Sequence, residues 1–90
     1  MKDRRLLYLA YELGFLSKLQ VLRIINISKY GRLKCDICKK ALAKPTIDHI
    51  VPKSKGGQNQ LDNLRLTHSK CNVIKDNKFT IKDKLKIVFL

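Results

Sequence analysis

Two closely spaced pairs of soft ligands bracket the middle of this chain. Cys35-Asp36-Ile37-Cys38 is matched downstream by His68-Ser69-Lys70-Cys71. A two-residue spacer lets both members of a pair reach one ion. Three thiolates and one imidazole suit a tetrahedral Zn2+. A closed site of this kind is structural, and its binding energy becomes folding energy. The competing reading is a free cysteine pair, an unrelated buried cysteine and a polar helix cap; the second pair argues against coincidence. Between the pairs stand Asp48 and His49. A carboxylate beside an imidazole offers a hard oxygen ligand for a divalent cation such as Mg2+ and a base for neutral pH. Adjacent residues on a strand point to opposite faces, so the two converge only where the strand ends or bends. Asn72 follows Cys71 and would sit in a first helical turn, offering a carbonyl oxygen; Asn63 lies upstream of it. Taken alone, an Asp-His pair also reads as a surface salt bridge, and isolated asparagines as turns or caps.

These residues need elements to hold them. Residues 3–27 read as helix, because Leu6, Leu9, Ala10, Leu13, Leu16 and Leu19 recur at three- and four-residue steps. That stripe is expected to face the core, and Gly14 marks a candidate break. Tyr30-Gly31-Arg32 is a turn before the first cysteine pair. Residues 46–51 form a short β-branched run ended by Pro52. Residues 54–59 are loop by composition, and residues 63–66 a second short strand. From Ser69 to Lys78 a helix is expected, with Val73 and Ile74 turned inward. In the tail, Phe79, Ile81, Leu85, Ile87 and Phe89 alternate with polar residues, which favours a strand, although Ile81, Leu85 and Val88 also fit a helix.

Composition narrows the function. The chain has 90 residues, 20 Lys or Arg against 7 Asp or Glu, and a formal charge of +13. The charge is spread along the chain, so the folded body is basic, and its default partner is a polyanion, nucleic acid first. Solubility alone is the competing reason for a Lys-rich surface. A hydrophobic share of 44% excludes compositional disorder. Three cysteines are an odd number for a disulfide framework and point to a reducing, cytoplasmic setting. The start resembles a signal peptide, but Glu12 interrupts the apolar run and no small-x-small cleavage site follows. The run is also short of the roughly 18 apolar residues of a membrane span.

Taken together, several separated motifs carry a resemblance. Cys35-x2-Cys38, then Thr46-Ile47-Asp48-His49-Ile50-Val51-Pro52-Lys53-Ser54-Lys55-Gly56-Gly57, then Asn63-Leu64-Arg65-Leu66, then Cys71-Asn72-Val73-Ile74-Lys75, in this order, resemble the HNH nuclease family. The resemblance implies an α+β fold: a small ββα-metal finger of two antiparallel strands and a helix, with a zinc knuckle site. It implies one domain over 1–90, with a helical extension at 1–30, the zinc-stabilised core at 31–78 and a C-terminal segment, read as strand, at 79–90. His49 would be the general base. Asp48 and Asn72 would hold a catalytic Mg2+ or Mn2+, and Asn63 would order the loop and support the His49 ring. Cys35, Cys38, His68 and Cys71 would hold structural Zn2+; most zinc-bearing relatives have Cys where this chain has His68. Lys53, Lys55, Lys70, Lys75 and Lys78 would contact the nucleic-acid backbone. The implied activity is metal-dependent endonuclease cleavage of DNA, with RNA left open and no membrane partner. A catalytically inactive zinc-stabilised binding module is the alternative, as is a homodimer or a subunit docked to a larger complex through the N-terminal helix.

Overall fold

A computed structural model describes the backbone of residues 4–78 and the side chains of residues 4–75. Its elements are α1 (Arg5–Glu12), α2 (Lys18–Tyr30), β1 (Thr46–His49), β2 (Leu64–Thr67) and α3 (Ser69–Lys78), with 3₁₀ turns at Lys53–Lys55 and Leu61–Asn63. The tail expected as strand, 79–90, lies outside the described residues, as do residues 1–3.

The single N-terminal helix expected from periodicity is two helices. Gly14 takes φ +84, a left-handed conformation open to glycine at no steric cost, and the chain turns there. A new helix starts at once because Ser17 caps it. The Ser17 hydroxyl accepts from the Gln20 amide at 3.1 Å, and the Gln20 side chain accepts from the Ser17 amide at 2.8 Å. This reciprocal pair satisfies two otherwise orphaned donors. Gly31, at φ +79, ends α2 by donating to the Ile27 carbonyl.

The break also reverses the expected face of α1. Leu6, Leu9 and Leu13 are exposed, as is Phe15, while Leu7 is buried. Tyr8 and Tyr11 are half-buried instead. The spacing is helical as expected, but α1 packs through Leu7, Tyr8 and Tyr11 rather than through the leucine stripe.

β1 and β2 pair antiparallel, with Ile47 opposite Leu66, Asp48 opposite Arg65 and His49 opposite Leu64. One core gathers Leu22 of α2, Cys35, Leu42, Leu64 and Leu66, with Leu19, Leu33, Ile37, Ile47, Leu61 and Cys71 packed around it. The cysteine hairpin is anchored to this core from two sides. Buried Asn26 on α2 receives the Lys34 amide on Oδ1 at 2.8 Å and donates through Nδ2 to the Lys34 carbonyl at 2.6 Å. The Asp36 amide donates to the Leu66 carbonyl of β2 at 3.0 Å. α3 spans the expected residues, but Val73 and Ile74 are 59% and 47% exposed rather than inward. The helix presents Cys71, Asn72 and Lys75 at intermediate burial, because its contacts are set by the metal ligands and by Asp48 rather than by apolar packing.

Candidate active site and metal centre

The four soft ligands converge. The ligand atoms of Cys35, Cys38, His68 and Cys71 all lie within 4.8 Å of one another. Cys38 Sγ is 3.4 Å and Cys71 Sγ 3.8 Å from His68 Nδ1. Zinc bonds of about 2.3 Å to sulfur and about 2.0 Å to nitrogen give a tetrahedral S–N edge of about 3.5 Å, so these separations suit one ion. The other ring nitrogen of His68, Nε2, lies 3.2 Å from the Ala41 carbonyl oxygen. A carbonyl accepts only, so Nε2 carries the proton and Nδ1 keeps its lone pair for a metal. The donor set therefore fits zinc, with His68 as a competent fourth ligand.

The backbone prepares the thiolates. Burial pushes the Cys35 thiol up, but amides of Cys38, His68 and Ile37 and the Cys38 side chain bond its sulfur and bring it down to about 6. Those amides lie 3.4–3.5 Å away. Cys71 is pushed up to about 11 by desolvation and by the neighbouring Cys35 and Cys38 thiols. Three sulfurs this close resist shared ionisation until a cation joins them.

Asp48 and His49 separate as strand alternation demands. Asp48 is fully buried and faces α3. Its Oδ1 accepts from Lys75 Nζ at 2.8 Å and its Oδ2 from Arg65 Nε at 2.9 Å. Lys75 Nζ also donates to the His49 carbonyl oxygen at 2.5 Å. His49 ends β1, and its ring turns to the following loop, where Nε2 meets Asn59 Oδ1 at 3.2 Å. With an amide oxygen as partner, Nε2 is the donor and Nδ1 the basic nitrogen.

The loop between the strands is clamped by Asn63. Its Oδ1 accepts from the Val51 amide at 2.8 Å, and its Nδ2 donates to the carbonyls of Val51 at 3.1 Å and Gln58 at 2.7 Å. Gly57 lies against the same carbonyl: a Cβ there would sit 1.7 Å from the Val51 oxygen. Asn72 occupies the first turn of α3, where its amide donates to the His68 carbonyl at 3.1 Å.

The family model of the HNH endonuclease matches residues 35–78. The match covers just under half of the 90-residue chain. No curated protein and no solved structure matches the chain. The HNH match spans the two cysteine-bearing pairs, both strands and α3, the parts that carry the sites above. An HNH domain indicates nuclease-type chemistry in general, and the Cys3His cluster could hold zinc.

Within the HNH segment, the expected residues divide into groups. Cys35, Cys38, His68 and Cys71 form one cluster. Asn63 bonds the loop at Val51, and the ring of His49 meets Asn59 rather than Asn63. Lys53, Lys55 and Lys70 are exposed. Lys75 points inward to Asp48 and is only 15% exposed, so it holds the carboxylate rather than standing ready for phosphate. The Lys78 side chain lies outside the described residues.

Sequence reading missed Asn59 and Arg65. Arg65 was recoverable from the register, since it sits directly opposite Asp48 and opposite charges pair across strands. Asn59 carried no signal beyond its loop composition. Among the described residues, no helix is long and apolar enough to cross a membrane.

Proposed function

We propose that this chain is a single-domain, metal-dependent endonuclease that hydrolyses phosphodiester bonds of DNA. The observation that best supports the reading is the His49 ring. It sits at the end of β1 with Nε2 engaged by Asn59 and Nδ1 as its basic nitrogen, beside a loop carrying exposed Lys53 and Lys55. In this role His49 takes a proton at Nδ1 from the water that attacks phosphorus in line. Asn59 fixes the tautomer and orientation of the ring, and Asn63 fixes the loop that carries Asn59.

The residues fit a hard divalent cation by donor chemistry, since Asp48 and Asn72 offer carboxylate and amide oxygens. They would hold Mg2+ or Mn2+, which when bound supplies Lewis-acid stabilisation of charge on the phosphate. Lys75 already occupies Asp48 Oδ1. Arg65 occupies Oδ2, so a cation held by Asp48 would compete with both side chains. Lys53, Lys55 and Lys70, joined by Lys78, hold the nucleic-acid backbone without reading bases. Cys35, Cys38, His68 and Cys71 hold structural Zn2+, which supports a core too small to rely on apolar burial alone. A reducing, cytoplasmic setting belongs to the same reading, because it keeps these thiols available to metal.

The test is plasmid nicking by zinc-loaded protein with added Mg2+ or Mn2+. His49→Ala is expected to lower the rate by roughly 100-fold or more, the contribution of a positioned general base. Cleavage unaffected by that change would remove the mechanism. A second reading, an inactive nucleic-acid-binding module or a docked subunit, draws on the exposed Leu6, Leu9, Leu13 and Phe15, an apolar face suited to another chain. Wild-type protein that binds DNA and never cuts it with any divalent ion would favour that reading.

A further inference from the structure

A cleft of about 390 Å³ opens between the N-terminal helices and the loop leading to β2. Tyr8, Tyr11, Glu12 and Lys18 form one side; Asn59 and Asp62 stand on the other. Hydrogen bonds pin both ends. The Tyr8 hydroxyl donates to Asp62 Oδ1 at 2.8 Å, and Lys18 Nζ donates to the Asn59 carbonyl at 3.0 Å. The Asn59 side chain then reaches across to the His49 ring. One residue is thus shared between the wall of the cleft and the candidate base. The helical wall lies outside the HNH match, so this feature belongs to the chain's own N-terminal extension.

The chemistry of the lining selects a ligand. Two of the chain's seven acids, Glu12 and Asp62, line the cleft, with Lys18 beside them and Arg4 bonded to the Tyr8 side chain. On a body of charge +13, a lining with as many carboxylates as nearby cations suits a phosphate less well than the rest of the surface. Tyr8 and Tyr11 stand three residues apart on α1 and share its face. An aromatic wall beside carboxylate acceptors matches a flat heterocycle that donates from its edge. Carboxylates accept from the exocyclic amine of a base such as cytosine, and aromatic side chains stack on any base face. Thymine offers only its ring N3–H and no such amine.

We propose that this cleft receives one unpaired base of the substrate strand, an adenine, cytosine or guanine. The base stacks on Tyr11 and places its amino edge against Glu12 and Asp62. The inference rests on the nucleic-acid reading above and deepens it. The strand is held with one base splayed out beside His49, so unpaired or distorted DNA is preferred over regular duplex.

The experiment measures anisotropy of fluorescein-labelled nonamers that are abasic at every position but the centre, with zinc-loaded full chain and no further divalent ion. The central position is dT, dC, dA, dG or an abasic site. Wild type is expected to bind the dC, dA and dG oligomers several-fold more tightly than the dT oligomer, and the fully abasic oligomer most weakly. Tyr11→Ala is expected to lose roughly tenfold in affinity for base-containing oligomers and nothing for the abasic one. Exposed Glu12→Ala carries little folding risk and is expected to weaken the preference for amines over dT, and Glu12→Ala with Asp62→Ala to erase it, while stacking on Tyr11 stays intact. Equal affinity for all five oligomers, or a Tyr11→Ala loss that is the same on the abasic oligomer, would overturn the proposal. Either of those results alongside His49-dependent plasmid nicking would leave the nuclease reading standing. The expected base preference without nicking would sink the nuclease and keep the cleft.

Discussion

Asn63→Ala is the sharpest test of how the fold holds the candidate site. The side chain makes three hydrogen bonds, one accepted from the Val51 amide and two donated to the Val51 and Gln58 carbonyls. A typical net contribution is about 1 kcal/mol per bond, and a buried partner left unsatisfied costs about 1–3 kcal/mol. Val51 is itself buried, so its amide cannot turn to water without opening the loop. The expected loss is about 3 kcal/mol, a large fraction of what a domain of this size holds in reserve. With an m-value of about 1 kcal/mol/M, the urea midpoint of zinc-loaded protein falls by about 2–3 M. Trypsin should cut the variant faster at Lys53 and Lys55, which lie in the released loop. Asn63→Asp keeps the acceptor for the Val51 amide but sets a carboxylate against two carbonyl oxygens, so at neutral pH it is at least as damaging as Asn63→Ala. A midpoint shift worth under about 0.5 kcal/mol, with unchanged trypsin cleavage, would refute the clamp.

Three further outcomes follow from the same geometry. Gly57→Ala puts a methyl group 1.7 Å from the Val51 oxygen, so it should match or exceed the Asn63→Ala loss; a stable variant with the wild-type urea midpoint would contradict the close approach. Lys75→Met removes the ammonium from Asp48 Oδ1 and should tighten Mn2+ binding, read by electron paramagnetic resonance of free Mn2+, by roughly tenfold, a change of about 1.4 kcal/mol; unchanged or weaker binding would refute the exchange of one cation for another. In chelator-treated protein, Cys35 is held down to about 6 against an ordinary 9.0, so its contribution is full above pH 9 and is lost as pH falls toward 6. Cys71, raised to about 11, works the opposite way, its contribution present below pH 9 and lost as pH rises through 11. Urea midpoints should therefore peak near pH 9, and a steady fall from pH 6 to 9 would count against this arrangement.

Local order and tertiary order left different marks. The Cys-x2-Cys and His-x2-Cys spacings, the turn at Gly31 and the full span of α3 were all legible, because each is decided by residues a few positions apart; the strand expected over residues 46–51 stops at His49. Gly14 was recognisable as a weak point, but not as the turn that gives α1 a new direction. Which face of α1 is covered depends on that direction, so Leu6, Leu9 and Leu13, read as core, stand exposed, while Leu19 on α2 does pack against the core. Val73 and Ile74 failed for a related reason: α3 is seated by Cys71 in the Cys3His cluster and by Lys75 on Asp48, and apolar periodicity contains neither constraint.

By itself the sequence determined the chemical inventory: three thiols and an imidazole spaced for one ion, a carboxylate next to a base, and a cationic body to draw in a polyanion. Only the tertiary structure decided who partners whom. The antiparallel register set Arg65 against Asp48, and the helix-to-sheet packing brought in Lys75. The clamped loop delivered Asn59 to the His49 ring, and the turn at Gly14 set α1 so that Tyr11 lines a cleft that Asn59 also lines. Ligand spacing is a property of the backbone over a few residues and survives in the string. Charge pairing between residues 17 to 27 positions apart comes into being only when strands and helices close on one another.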